Sequence, residues 1–281
     1  MRRITISIND AEMESNMYYP FQIPYILSKE FSEHLEYKET SIAGYKDFVI
    51  CFWEISSITN NRNCITNIVI ADGCIDLVVD YDQKQIGYAG MSETRYDFKI
   101  NLPSRSFGAR LKPGAFHVLT GISAAKALND YLPIHITDKH FKVDKFFTLS
   151  FNEAKEMFIS YIGTLIKDKP NNRFVTLFDE LYTGIPDSVL EIYKKLNYSP
   201  RQCQRLFIKN YGFSPKFALC VLRFQKCLEM IISRGNSPNE LLDELNYYDQ
   251  SHIINDFKRY IGITPFELVK RYNMSHFYNN A

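Results

Sequence analysis

Basic and amide side chains recur in one short segment at a spacing that places them on one side of a helix. Arg201, Arg205 and Lys209 are four residues apart, and Gln202 and Gln204 lie beside them. Residues at this spacing are neighbours on a helix surface. Arg pairs with guanine edges and Gln with adenine edges, while Arg and Lys also hold phosphates. The chemistry open to this face is recognition of a nucleic acid, and an ordinary solvated helix face is the alternative.

A second polar set lies further along the chain and again combines amide, hydroxyl, imidazole and basic groups. Its members are Gln250, Ser251, His252, Asn255, Lys258 and Arg259. Ser199, at the start of the first segment, is a further candidate DNA contact. We expect specificity to rest chiefly on five of these residues: Arg201, Gln202, Arg205, His252 and Asn255.

The two polar sets belong to two copies of one sequence unit. The first copy, 194–215, reads KKLNYSPRQCQRLFIKNYGFSP, and the second, 243–265, reads DELNYYDQSHIINDFKRYIGITP. Self-similarity of this kind indicates one supersecondary unit that is built twice. A helix, a tight turn and a second helix form the unit that presents side chains to a DNA groove. The duplication therefore favours DNA recognition over two unrelated solvated faces.

Turn and cap residues mark the ends of the predicted helices. Asn197 and Asn246 stand at the turns, where Asn tolerates a left-handed conformation. Ser199 with Pro200 caps the next helix in the first copy, and Asp249 caps it in the second. A glycine then ends each of these helices, at Gly212 and Gly262. The pattern predicts reading helices from Pro200 to Tyr211 and from Gln250 to Tyr260.

An amphipathic helix is predicted between the copies, from Lys216 to about Ser233. Its apolar residues alternate at spacings of four and three: Phe217, Val221, Phe224, Leu228 and Ile231. A helix of this size is roughly 27 Å long, and consecutive major grooves on one face of DNA lie roughly 34 Å apart. We therefore expect this connector to hold the two reading helices in adjacent grooves.

These tracts resemble the AraC/XylS-type transcription regulators. The second helix-turn-helix signature of that family resembles Tyr247 to His252, Phe257 to Arg259 and Gly262 to Pro265. Its first unit and connecting helix resemble Ser199 to Arg201, Gln204 to Phe207 and Leu222 to Phe224. The resemblance implies seven helices, two reading heads, double-stranded promoter DNA as the ligand, and control of transcription. It also implies contact with RNA polymerase, with activation as the commoner outcome.

The sequence departs from that family at the two turns. Tyr193 and Leu242 stand where the family usually has a small alanine, and Asn197 and Asn246 replace its turn glycine. A protein-interaction scaffold whose helix-turn-helix units no longer read DNA is therefore the alternative function.

Length and charge indicate a protein of more than one domain, and its β-rich N-terminal and helical C-terminal parts together predict the α+β class. The 281 residues suffice for two cores. Residues 186–281 carry 13 Lys and Arg against 9 Asp and Glu, whereas the remainder carries 20 against 23. Only the C-terminal part is basic, as is typical of a DNA-binding domain. We expect a β-rich sensor or regulatory domain at 1–150, a helical linker or dimerisation segment at 151–185, and an all-α DNA-binding domain at 186–281.

The N-terminal part is predicted to form an antiparallel β domain, a small barrel or cupin-like fold, with accompanying helices. Strand candidates are 48–55, 67–80 with a turn at Asp72-Gly73, 85–91, 96–102 and 107–112. Phe52-Trp53, 71–77, 108–111 and 112–115 resemble the sensor half of one branch of the same family. Candidate pocket residues are Trp53, Arg110 and His117. A lone Trp is more often core and a strand Arg more often pairs with a carboxylate, so no ligand site is assigned.

A single amphipathic helix is predicted from Asn152 to Lys167, with Ala154, Phe158 and Ile162 on its apolar stripe. It is either a dimer or interdomain element or a helix that covers the β domain. The sequence neither requires nor excludes a homodimer, and the same holds for a small-molecule effector.

Other classes of protein are disfavoured by what the sequence lacks. It has no run of 18 apolar residues and no signal peptide, which predicts a cytoplasmic protein with no membrane partner. Six cysteines occur without a C-x-x-C pair, so neither a zinc site nor a disulfide framework is expected. No nucleotide-binding, hydrolase or metalloprotease motif occurs, and we expect neither an enzyme nor a cofactor.

Overall fold

The computed structural model of the protein describes residues 17–133, 142–234, 245, 247 and 249–279. It confirms the α+β class, because an antiparallel β domain is followed by a helical C-terminal part. None of the helices within the described ranges combines the length and the apolar character needed to cross a bilayer.

The β domain consists of a six-stranded sheet and a separate two-stranded ribbon. Its strands are β1 (Leu35–Thr40), β2 (Val49–Ser57), β3 (Cys64–Val69), β4 (Ile75–Asp80), β5 (Gln85–Ala89), β6 (Tyr96–Asn101), β7 (Arg105–Leu111) and β8 (Tyr131–Pro133). The sheet has the order β1-β2-β7-β4-β5-β8, and β3 pairs with β6 in the ribbon. The predicted turn at Asp72-Gly73 exists, with Gly73 at φ +76°. It does not close a hairpin, because β3 and β4 lie in different sheets.

Alternation along the strands decides which side chains enter the core. In β4, Ile75, Leu77 and Val79 are buried on one face, while Asp76 and Val78 point to the other. The buried face is covered by three helices, α3 (Ala115–Thr120), α4 (Val143–Phe146) and α5 (Phe151–Ile166).

Helix α5 packs on the sheet of its own chain. Its N-terminus carries a capping box, in which Ser150 and Glu153 bond each other's backbone N–H groups. Phe158 is buried edge-to-face against Phe107 of β7, with 5.3 Å between the ring centres. The apolar stripe predicted from the sequence is thus used to cover the β domain.

The remaining helices lie at the two ends of the chain. Two short ones, α1 (Pro24–Leu27) and α2 (Lys29–His34), precede the sheet. The C-terminal helices are α6 (Arg173–Thr183), α7 (Val189–Leu196), α8 (Pro200–Tyr211), α9 (Pro215–Arg234), α10 (Gln250–Ile261) and α11 (Pro265–Asn279). Apolar residues of α6, α8, α9 and α10 share one buried cluster with residues of segments 18–27 and 68–74.

Tyr18 shows how closely the two parts pack. Its ring is fully buried, 5.3 Å from Phe178 and 5.0 Å from Tyr182 on α6. Its hydroxyl donates to the backbone oxygen of Asp72 at 2.6 Å, and its N–H donates to Asp179 at 2.8 Å. The turn between β3 and β4 is therefore fixed to the helical part.

Candidate nucleic-acid interface

The turn of the first helix-turn-helix unit has the backbone conformation that the sequence predicts. Asn197 ends α7 at φ 56° and ψ 39°, in the left-handed region, and its N–H donates to the carbonyls of Tyr193 and Lys194. Tyr193, which replaces the family's alanine, is half-buried, and Ile192 is the fully buried residue of α7. The corresponding residues of the second unit, Leu242 and Asn246, lie outside the described part of the chain.

Helix α8 begins in a capping box built from two of the predicted contact residues. The Ser199 hydroxyl oxygen accepts from the Gln202 N–H at 3.3 Å, and Gln202 Oε1 accepts from the Ser199 N–H at 3.0 Å. The reciprocal bonds fix the N-terminus of the helix and the position of the Gln202 side chain. The helix ends at Gly212, with φ +88°, and its bounds agree with the prediction.

The predicted reading face of α8 is exposed along its whole length. The five residues on it are all exposed: Arg201, Gln202, Gln204, Arg205 and Lys209. Cys203 and Phe207, on the opposite face, are fully buried. The structure therefore brings the predicted basic and amide groups together on one accessible surface.

Helix α10 has the same arrangement, with one difference at its end. Asp249 caps it by accepting from the His252 N–H at 2.8 Å, while Ile253 and Phe257 are buried. The six predicted residues are exposed: Gln250, Ser251, His252, Asn255, Lys258 and Arg259. Arg259, however, donates from Nε to the backbone oxygen of Glu93 at 3.2 Å, and is thereby tied to the β domain.

Both reading helices end against the β domain. At the end of α8, a Cβ added to Gly212 would lie 3.0 Å from the Ala124 carbonyl oxygen. At the end of α10, the Arg95 N–H donates to the Arg259 carbonyl at 2.9 Å, and a Cβ on Gly262 would collide with the Arg95 side chain. The N-terminal part thus contacts the frame of each reading helix.

A third contact, Gln225 on α9, was not predicted from the sequence. Its side chain is fully buried, its Oε1 accepts from the Phe21 N–H at 2.8 Å, and its Nε2 donates to the Ala71 carbonyl at 2.8 Å. Gln225 follows Val221 by four residues and therefore lies on the apolar side of the connector, beside Phe224 and Leu228. A polar residue on that side was the signal available in the sequence.

The three N-terminal residues considered from the sequence lie in different surroundings. Arg110 is buried and pairs with Glu39 at 2.7 Å, as expected of a strand Arg. Trp53 is half-buried and donates to Asp76 at 2.7 Å. His117 lies within α3, with Nδ1 2.8 Å from the Ile122 carbonyl oxygen. Among the residues with described positions, no cluster of His, Cys, Asp and Glu is arranged to hold a metal ion.

Two family models each match one part of the chain. A helix-turn-helix domain family matches residues 192–271, and a family described as a domain of unknown function (DUF6597) matches residues 44–133. YidL of Escherichia coli (strain K12), described as an uncharacterized HTH-type transcriptional regulator, is 27% identical over 106 residues. That match spans 37% of this chain and only 36% of YidL.

Solved structures of ToxT from Vibrio cholerae were also found. An apo variant has a TM-score of 0.40 at 11% identity, and covers 75% of this chain and 98% of its own. A second crystal form has a TM-score of 0.38 at 12% identity, and covers 84% and 97%.

The matched range 192–271 contains both exposed reading faces, α8 and α10, and the connector α9 between them. The chain therefore carries an AraC-type helix-turn-helix domain, and the resemblance drawn from its sequence is confirmed.

Proposed function

We propose that the protein is a sequence-specific, DNA-binding transcription regulator whose helices α8 and α10 read two adjacent major grooves of promoter DNA. The observation that carries the proposal is the pair of exposed polar faces on helices of the same length, held in one frame by α9. Their side chains combine donors for base edges with cations for phosphates.

The twelve exposed side chains divide into two proposed roles. Sequence discrimination rests chiefly on Arg201, Gln202, Arg205, His252 and Asn255. Phosphate contact and positioning fall to Ser199, Gln204, Lys209, Gln250, Ser251, Lys258 and Arg259. The first copy of the repeat has five basic residues and no acid, whereas the second has four acids and two bases. The α8 unit therefore supplies the larger share of the phosphate affinity.

The β domain is proposed to regulate the reading helices, either by binding an effector or by forming a homodimer. Support comes from its contacts with Gly212, Gly262 and Gln225, which together reach α8, α10 and α9. Activation through RNA polymerase in the cytoplasm is the outcome that the family resemblance favours.

Selection of binding sites from random duplex DNA by the full-length protein tests this function. Enrichment of two conserved blocks about one helical turn apart is expected. Alanine at the five discrimination residues should abolish the motif, whereas alanine at Lys29 and Lys84, exposed on the β domain, should leave it intact.

The alternative outcomes are distinct. No enrichment at low salt, by the full chain or by residues 186–281, would refute DNA reading and favour the scaffold. Enrichment by residues 186–281 alone would show that the β domain holds the reading helices in an arrangement that does not fit DNA.

A further inference from the structure

A cleft of about 600 Å³ lies between the six-stranded sheet and the β3–β6 ribbon. At its mouth, three large apolar side chains of the β3–β6 ribbon are exposed: Val69, Tyr96 and Phe98. Its floor carries charged residues of β4 and β7, among them Asp76 and Arg110. The cleft therefore has an apolar entrance and a charged interior, and so combines the apolar lining with the convergent polar groups that mark small-molecule sites.

The indole of Trp53 forms part of the cleft wall. A Cβ on Gly108 would lie 2.5 Å from the Trp53 ring, so the indole rests against the bare backbone of β7. Its Nε1 reaches across that strand to donate to Asp76 Oδ2 at 2.7 Å. Gly108 covers one part of the ring, and the Trp53 side chain is among those that line the cleft. An aromatic face in this position attracts cations as well as apolar groups.

The floor of the cleft contains more acids than bases. Arg110 donates from Nη1 to Glu39 at 2.7 Å, and its Nε lies 3.7 Å from both Asp72 and Asp76. One guanidinium thus faces three carboxylates. Asp72 is occupied by Gln22, which donates to Oδ2 at 2.8 Å, and by the backbone N–H two residues further on. Asp76 is the carboxylate with capacity for a further charged partner.

The pKa values of Glu39 and Asp76 differ because one guanidinium, that of Arg110, is shared among three carboxylates. Burial opposes the charge of Glu39, but Arg110 and the hydroxyls of Tyr19 and Tyr37 hold its pKa below the ordinary value. Burial raises the pKa of the Asp76 carboxyl to about 7, and Arg110 offsets this only in part. Arg110 is shared among three carboxylates, and it therefore compensates the charge of Asp76 only in part.

A second polar group in the cleft lacks a partner. Asn67 of β3 is 9% exposed and lines the cleft, and its Oδ1 has no hydrogen-bond partner among the described residues. A buried acceptor left unpaired costs stability, and a hydrogen-bond donor from outside the chain that reached this oxygen would remove that cost.

We propose that this cleft binds a small organic cation, a protonated amine with an apolar body. The ammonium group bonds Asp76, the Asn67 oxygen accepts a hydrogen bond from the ligand, and the apolar body lies over Trp53 towards the mouth. An anion would meet an excess of carboxylates, and a neutral ligand would add no positive charge to the partial compensation that Arg110 gives Asp76. The role of this ligand as effector rests on the proposed function, whereas its binding does not.

Trp53 is the single tryptophan of the chain, so its fluorescence reports on the cleft directly. The full-length protein is titrated with phenethylamine and hexylamine, and with phenylethanol and phenylpropionate as neutral and anionic comparators. We expect the amines to bind about tenfold or more tightly than phenylethanol, as is typical of a charge-assisted hydrogen bond. Phenylpropionate should bind more weakly still.

Two variants locate the ammonium group. Asp76→Asn should weaken amine binding about tenfold or more, while Asp47→Asn, at an exposed site outside the cleft, should not change it. Asn67→Leu removes the unpaired oxygen and should weaken binding about fivefold; it provides the test if the Asp76 variant does not fold. Circular dichroism checks the fold of each.

The proposal is overturned if phenylethanol or phenylpropionate binds as tightly as the amines. It is also overturned if the folded cleft variants bind amines with wild-type affinity. Amine binding without any enriched DNA motif would instead overturn the proposed function and leave this site standing.

Discussion

Gln225 connects the β domain to the connector helix, and its replacement should loosen that connection. Gln225→Met keeps the length and the apolar stem of the side chain but removes both amide groups. The Phe21 N–H and the Ala71 carbonyl, each 2.8 Å from Gln225, then lose their partners. Because Ala71 is fully buried, water cannot replace the bond to its carbonyl.

The magnitude follows from the burial of each partner. An unpaired buried carbonyl costs about 1–3 kcal/mol, and a lost bond to the half-buried Phe21 N–H costs about 1 kcal/mol. We therefore expect the free energy of unfolding to fall by about 2–4 kcal/mol. Urea unfolding measures this loss, and hydrogen exchange of the Phe21 amide reports the local opening.

Gln83→Met is the matched control, because Gln83 is exposed and its side chain has no described hydrogen bond. It should change the free energy of unfolding by less than about 0.5 kcal/mol. If Gln225→Met were equally mild, and if the Phe21 amide stayed protected, the two bonds would not hold the parts together and the argument for coupling through α9 would fail.

Three further predictions concern the reading helices and the cleft. In filter-binding or anisotropy titrations with DNA, Arg205→Ala should lower the slope of log affinity against log salt concentration by about one, and Lys258→Ala should lower it by less. Equal slopes for the two variants would contradict the proposal that the α8 unit supplies more of the phosphate affinity than the α10 unit. Asn197→Val should cost about 1–2 kcal/mol in urea unfolding because of its left-handed φ of 56°, whereas Asn197→Gly should cost little. The pKa of Asp76 is raised from 3.8 to about 7, so the folded state holds its proton where the unfolded state releases it, and stability falls as pH rises from about 4 to about 7. Asp76→Asn should remove this loss, which amounts to up to about 4 kcal/mol of unfolding free energy at alkaline pH. The groups around position 76, namely Arg110, Glu39, Asp72 and Trp53, are the same in both proteins. If the unfolding free energies of the two proteins varied in parallel with pH, the raised pKa of Asp76 would be refuted.

The helical part could be predicted closely because its signals are local. A cap residue and a glycine flank both α8 and α10, a proline begins α8, and the bounds of α8 were predicted without error. The connector was predicted from Lys216 to Ser233 and runs from Pro215 to Arg234. Such signals act between residues a few positions apart, so the sequence displays them directly.

The β domain was predicted less well because strand pairing is not local. Strands β1 and β8 were missed, and the pairing of β3 with β6 was not anticipated. Asp76, Val78 and Asp80 alternate with buried residues in β4, and this alternation was the available signal for a polar face. The bonds of Gln225 join residues 204 and 154 positions apart, a separation at which no sequence pattern operates.

The position of the two reading helices relative to each other depends on more than the connector. The β domain contacts the end of α8 near Ala124, the end of α10 near Arg95, and the middle of α9 through Gln225. Ala71, the acceptor for Gln225, is directly followed by Asp72, which lies on the floor of the cleft. A ligand that moves the 70–74 turn therefore acts on α9 through a single residue. Because coupling between two sites is reciprocal, if a cleft ligand changes the affinity of the protein for DNA by some factor, DNA would change the affinity of the cleft for that ligand by the same factor.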